Sequence, residues 1–244
     1  MFIKRQIPNL LTIGNLLCGT IAIMFVLSGD IKTAAVLIVI AAILDFFDGF
    51  VARLLNVQGP LGKELDSLAD VVSFGVVPAY IVYQMQMGIV SEWSEGILKQ
   101  YLPYTGLLLA GFAAYRLAKF NIDERQSYGF LGLPTPAMAL FFISLGTVES
   151  LTNGELPQFM SLIVTSPWVM LALTSLFSLL MISELPLIAM KFKGFQIKGN
   201  EFRYTFIVGF ILLPLILGWV ALPFFIIWYL LISLVANIIS KGSN

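Results

Sequence analysis

Histidine is missing from all 244 residues. Its absence removes imidazole acid/base catalysis, imidazole metal ligation and any phosphohistidine intermediate, so chemistry here must run on carboxylates, amines, hydroxyls or bound metals. The single cysteine, Cys18, cannot close an intrachain disulfide, and its apolar neighbours read as packing rather than as a reactive thiol. Charge is scarce as well: 11% of the chain is charged and 59% apolar, against about 25% and about 45–50% in water-soluble proteins. Lys plus Arg equals Asp plus Glu at 14 each, so no net field gathers polyanions, and nucleic-acid binding is excluded on that ground.

What the chain has is long apolar runs. They fall at about 10–28, 32–55, 66–88, 102–121, 134–152, 159–183, 204–220 and 223–239, each long enough to approach a crossing of roughly 20 residues. The expectation is an all-α integral membrane protein, a bundle of about eight transmembrane helices forming one domain over residues 1–244. Leu222 and Pro223 leave the last pair open between a tight turn and a kinked re-entrant hairpin. The first run follows Lys4 and Arg5 but lacks a small-residue cleavage site, so it reads as a retained helix.

Assigning the amino terminus and alternate connections to one side collects Lys4, Arg5, Arg53, Lys63, Arg116, Lys119, Arg125, Lys191, Lys193, Lys198, Arg203 and Lys241 there, and leaves Lys32 and Lys99 opposite. This basic asymmetry predicts cytoplasmic termini in a multi-pass inner-membrane protein. The basic loop from Lys191 to Arg203 reads as a cytoplasmic connection drawn to anionic head groups.

Asp45 and Asp48 lie inside the second run, and Asp66 and Asp70 at the start of the third. Intramembrane carboxylates cost about 3 kcal/mol each on insertion scales and therefore need a reason. At 100° per residue, Asp45, Asp48, Gly49 and Ala52 share one helical face, and Gly62, Asp66, Asp70 and Ser73 share another. Two antiparallel neighbours would thus turn their acids toward each other near their cytoplasmic ends. Like charges so placed need divalent cations, and all-oxygen ligands suit two hard ions such as Mg²⁺ or Mn²⁺. The plainer alternative is solvated helix ends, for which Asp66 is the best candidate.

The string Asp45-x-x-Asp48-Gly49-x-x-Ala52-Arg53, eight residues, Gly62-x-x-x-Asp66-x-x-x-Asp70 resembles the signature of the CDP-alcohol phosphotransferases. Eight specified residues over 26 positions weigh heavily against coincidence. The resemblance implies a two-metal site over residues 45–70 that moves a phosphatidyl group from a CDP-activated lipid to an alcohol, releasing CMP. It implies that Asp45 and Asp66 bridge both metals, that Asp48 binds one and Asp70 the other, and that Asp70 is the general base. It also implies that Gly49, Ala52, Arg53 and Gly62 line the nucleotide and diphosphate, with Asn9 and Thr12 contacting the CDP-lipid, in a homodimer. Gly59 departs from the pattern, standing where related enzymes often carry a hydroxyl.

The flanking text, Pro8-Asn9-Leu10-Leu11-Thr12 with Asn15, Cys18 and Gly19, Glu64 through Gly75, Arg116 through Asn121, and Gly132 through Ala137, is similar to the phosphatidylserine synthase branch of that family. CDP-diacylglycerol and L-serine are then the expected substrates. A zwitterionic acceptor needs a cation for its carboxylate, for which Arg116 and Lys119 are candidates. Asn121 and Ser73 are candidate hydrogen-bonding groups, and simple positive-inside anchoring is the alternative for the two bases. Glycerol 3-phosphate or inositol phosphate is the competing acceptor, an archaeal-type ether lipid the competing donor, and a cation transporter the competing class.

Overall fold

In lipid a backbone must satisfy its own hydrogen bonds, and a chain this apolar does so by helix formation. The computed structural model describes residues 2–123, 130–188, 196 and 200–242. Arg125 and the basic run Lys191, Lys193 and Lys198 lie outside them, as do the side chains of Arg5 and Lys241.

Helix α1 spans Phe2–Leu27 and α2 Ile31–Leu54. They are joined by a tight turn in which Gly29 has φ +86°. Asp30 caps α2 by accepting from the Thr33 amide at 3.0 Å and its hydroxyl at 2.6 Å. Those bonds, the hydroxyl's first, hold the Asp30 carboxyl below the usual carboxylate range. Small residues on α2, Ala34 and Ala41, are fully buried and let α1 approach closely.

The third stretch is α3 (Pro60–Asp70), a π-helical turn (Val71–Val76) and α4 (Val77–Val90), continuous over 31 residues. It starts earlier than the apolar run at 66 because its first turn, Gly62-Lys63-Glu64, is polar and hidden from hydropathy, while Pro60 supplies a helix start that needs no amide donor. A short α5 (Ile97–Tyr101) and a 3₁₀ turn (Leu102–Leu107) lead into α6 (Leu108–Ile122). Next come β1 (Phe130–Leu131), α7 (Thr135–Leu151), and α8 (Gln158–Thr165) bent by 77° from α9 (Pro167–Ile182). The two-residue β2 (Pro186–Leu187) pairs antiparallel with β1, Leu131 opposite Pro186. The chain closes with α10 (Glu201–Leu217) and α11 (Ala221–Gly242).

By length and apolarity four helical stretches among the described residues can each cross a bilayer, or five if the bent α8–α9 pair is one span. The longest, Glu201–Ile239, is two antiparallel legs: Trp228 Nε1 donates to the Thr205 carbonyl at 3.4 Å, and the Phe210 and Phe225 rings stack at 4.4 Å. The break sits at Gly218, whose φ of +56° and ψ of −135° only glycine adopts without strain, rather than at Leu222–Pro223. Pro223 lies in the first turn of α11, where a missing amide costs nothing.

Two apolar clusters hold the bundle. One centres on Phe141, Phe142 and Phe177 from α7 and α9, with Phe141 and Phe177 stacked at 4.2 Å. The other joins Ala22 and Val26 of α1, Ile38 of α2, Phe74 of the π turn and Ile81 of α4, and so fixes α1 against the two helical stretches that carry the acids.

Candidate active site

On α2 the alternation of acid and aromatic sorts the faces. Phe46, Phe47 and Phe50 are exposed on the outer surface, whereas Asp48 is 5% exposed and Asp45 half-buried. Asp66 and Asp70 come from α3, one turn apart, with Asp70 8% exposed. Asp45, Asp48 and Asp66 each offer a carboxylate oxygen within 4.8 Å of the others. The Asp45 and Asp66 carboxyls are within hydrogen-bonding reach, and Asp70 interacts electrostatically with Asp45, Asp66 and Asp48.

Among the described residues no ion pair reaches these carboxylates: Lys99 pairs with Glu95 at 2.9 Å and Lys119 with Glu184 at 3.8 Å. Asp66 Oδ1 is buried with no hydrogen-bond partner. A buried lone carboxylate oxygen beside two further acids fits a hard divalent cation.

Asp48 and Asp66 of the cluster line a cavity of about 870 Å³ together with Asn9, Thr12, Gly49, Ala52, Arg53 and Gly62, and with Gln6, Gln58 and Lys63. All six residues expected at the CDP-lipid (Asn9, Thr12, Gly49, Ala52, Arg53 and Gly62) therefore border one space. Arg53 is exposed and folds its guanidinium over Gly49, where an added Cβ would lie 3.3 Å from Nη1. Gly59, the departure from the signature, lies on the same rim.

The acceptor candidates lie elsewhere, none of them on that cavity's lining. Arg116 on α6 is 7% exposed, its Nε without a hydrogen-bond partner, its Cζ 5.8 Å from the Phe120 ring centroid, and its charge felt by Asp70. Lys119 pairs with Glu184 beyond α9. Asn121 donates to Ser67 Oγ at 2.9 Å, and its carbonyl accepts from Lys63 Nζ at 2.7 Å, which ties the end of α6 to α3. Ser73 is fully buried and donates to the Asn15 carbonyl at 3.0 Å. Ser73 lies in the π turn that follows Asp70 and, like Asp70, bonds Asn15 of α1.

Sequence reasoning missed Asn15 as a site residue. It is fully buried on α1 and donates from Nδ2 to Asp70 Oδ1 at 3.2 Å. The signal available was its position, an amide in the middle of an apolar helix.

Carboxylates gathered at one wall of a polar cavity inside an apolar helical bundle define the site of a membrane-embedded enzyme. Comparison with known proteins gives the family. The family model for CDP-alcohol phosphatidyltransferase matches residues 5–239, and the chain belongs to that family. It is 37% identical over 145 residues, 58% of this chain and 75% of the relative, to a CDP-diacylglycerol–serine O-phosphatidyltransferase from Bacillus subtilis. It is 31% identical over 239 residues, 95% of this chain and 76% of the relative, to the enzyme of that name from Mycobacterium bovis. An archaetidylserine synthase from Methanothermobacter thermautotrophicus is 33% identical over 138 residues, 55% of this chain and 54% of the relative. Membership of an enzyme family sets the transporter reading aside.

Proposed function

We propose that the protein transfers the phosphatidyl group of CDP-diacylglycerol to the hydroxyl of L-serine, giving phosphatidylserine and CMP. The observation that carries the reading is the cavity between α1, α2 and α3, where a polar, glycine-lined space meets the carboxylate cluster. Asp45, Asp48, Asp66 and Asp70 would hold two divalent cations, Mg²⁺ or Mn²⁺. When bound, such ions neutralise a diphosphate and make its phosphorus electrophilic.

The chain's own groups do the rest. Arg53 offers a cationic fork to phosphate oxygens at the cavity mouth, and Gly49, Ala52 and Gly62 leave room for a bulky diphosphate, with Asn9 at its edge. Asp70 takes the serine hydroxyl proton as the hydroxyl oxygen bonds to the phosphorus bearing diacylglycerol, and the bond from that phosphorus to CMP breaks. Arg116, buried and without a partner at Nε, interacts electrostatically with Asp70, which supports it as the group that holds the acceptor's carboxylate. Lys119 and Asn121 are engaged with Glu184 and Ser67, and Ser73 with Asn15, so Arg116 is the preferred acceptor contact of the four.

The same reading takes the chain as one domain with eight crossings, both termini and the active site on the cytoplasmic side of the inner membrane, working as a homodimer. Support comes from the helical content of the eight apolar runs, the sixth of them bent by 77° between α8 and α9, and from the α10–α11 hairpin, which supplies two legs from one long stretch.

The experiment is transfer by purified protein in nanodiscs, with Mn²⁺ or Mg²⁺, labelled serine, and either CDP-diacylglycerol or its ether-linked counterpart. CMP release with labelled phosphatidylserine is expected. Transfer to glycerol 3-phosphate or inositol phosphate in place of serine overturns the acceptor, and turnover with the ether donor alone overturns the donor.

A further inference from the structure

The acids stand on α2 and α3, yet the groups that bond two of them stand on α1. Thr12 Oγ1 donates to Asp48 Oδ2 at 2.5 Å, and Asn15 Nδ2 donates to Asp70 Oδ1 at 3.2 Å. Thr12 and Asn15 are three residues apart, and so on one face of the helix, and they are 3% and 0% exposed. The Thr12 hydroxyl has one proton and two acceptors, the Pro8 carbonyl at 3.1 Å and the Asp48 carboxylate. The shorter contact to the charged acceptor is the stronger. The Asn15 amide has only one sensible orientation, since turning its oxygen toward Asp70 would oppose two acceptors.

The backbone around Asn15 is held as tightly. Ser73 Oγ donates to the Asn15 carbonyl. Gly19, one turn on, lies so close to the π turn that an added Cβ would meet Ser73 Oγ at 2.4 Å and Ser73 Cα at 2.9 Å. These contacts fix how far α1 stands from the segment that follows Asp70.

We infer that Thr12 and Asn15 are positioning residues that set the carboxylate orientations of Asp48 and Asp70, so that α1 serves as the template on which the acids of two other helices are aligned. Thr12 then acts on the site through Asp48 rather than by contact with the lipid donor. The inference rests on the reading of the four acids as cation ligands. It also accounts for two polar side chains buried in an apolar helix, each of which needs a partner to offset its desolvation.

The test uses the full chain in nanodiscs and reads Mn²⁺ affinity by the electron paramagnetic resonance signal of the free ion, alongside kcat and KM for CDP-diacylglycerol. Thr12→Val keeps the shape and removes the hydroxyl, and Thr12→Ser keeps the hydroxyl. The expected result is Mn²⁺ affinity weakened roughly 10- to 100-fold in Thr12→Val and restored to within a few-fold of the unmodified protein in Thr12→Ser. For Asn15→Leu, kcat should fall by a similar factor at unchanged KM. Unaltered Mn²⁺ affinity with a raised KM in Thr12→Val would make Thr12 a donor contact, and equal losses in the Val and Ser variants would make it a packing residue; either overturns the proposal. Asp48→Asn and Asp70→Asn separate the two layers. If both keep Mn²⁺ binding and turnover, the reading of the acids fails; if they lose them while Thr12→Val and Asn15→Leu match the unmodified protein, the positioning inference alone fails.

Discussion

Arg116 is one of the described residues with an unmet buried polar group. A guanidinium 7% exposed, with its Nε unbonded, carries a desolvation cost that a carboxylate-bearing acceptor would offset. Charge-assisted hydrogen bonds contribute about 1.5–3 kcal/mol, so Arg116→Leu is expected to raise KM for serine roughly 10- to 100-fold while KM for CDP-diacylglycerol stays put. Initial-rate measurements with each substrate varied in turn check this, and an equal rise in both constants would reduce Arg116 to a packing role. At this scale the sequence was most legible where chemistry is anomalous. Asp45, Asp48, Asp66 and Asp70 stood out because acids do not belong in apolar runs, whereas Gly49, Ala52, Arg53 and Gly62 were singled out by the resemblance of the whole string to a family signature. Ser73, Asn121 and Lys119 were less legible because their partners, Asn15, Ser67 and Glu184, lie 58, 54 and 65 positions away in the chain, and hydropathy carries no such information.

Among the elements, α1 and the π turn decide the site together. A Cβ at position 19 would have to push α1 off the backbone of Ser73. Overpacking of this kind costs about 1–3 kcal/mol, so Gly19→Ala is expected to lower the melting temperature by several degrees, at about 2–4 °C per kcal/mol for a chain of this size. It is also expected to reduce turnover, because Asn15 moves with the helix. Thermal unfolding followed by the exposure of Cys18 to a fluorogenic maleimide measures the first effect, and an unchanged melting temperature would show that the two helices can separate freely. The π turn itself was invisible to sequence reasoning, since a 100° wheel assumes an unbroken α-helix and the widened turn leaves hydrophobic composition untouched. The start of α3 at Pro60 was hidden for a related reason: its first turn faces a polar cavity, and the periodicity of lipid contact begins only afterwards.

For the whole molecule, exposed connections report how the bundle threads the membrane. Apolar composition made an all-helical membrane protein legible from residue counts alone. The last hairpin was harder to place, because Gly218 and Pro223 both punctuate the same stretch and only backbone geometry assigns the break. Glu92 and Gln58 are both exposed and stand in the connections at opposite ends of the Pro60–Val90 helical stretch. In a Cys18→Ser background, Glu92→Cys should react with a membrane-impermeant maleimide in right-side-out vesicles and Gln58→Cys only in inverted ones. The opposite pattern would reverse the orientation that the basic residues predict.

The short Gly29–Asp30 turn gives the α1–α2 hairpin a meaning in time. Thr12 and Asp48 lie on consecutive helices that precede the third stretch in the chain, so their contact can form as soon as the α1–α2 hairpin closes, before α3 has packed against it. The third helix then arrives at a half-assembled centre, with one carboxylate already aimed and Asn15 waiting to aim the last.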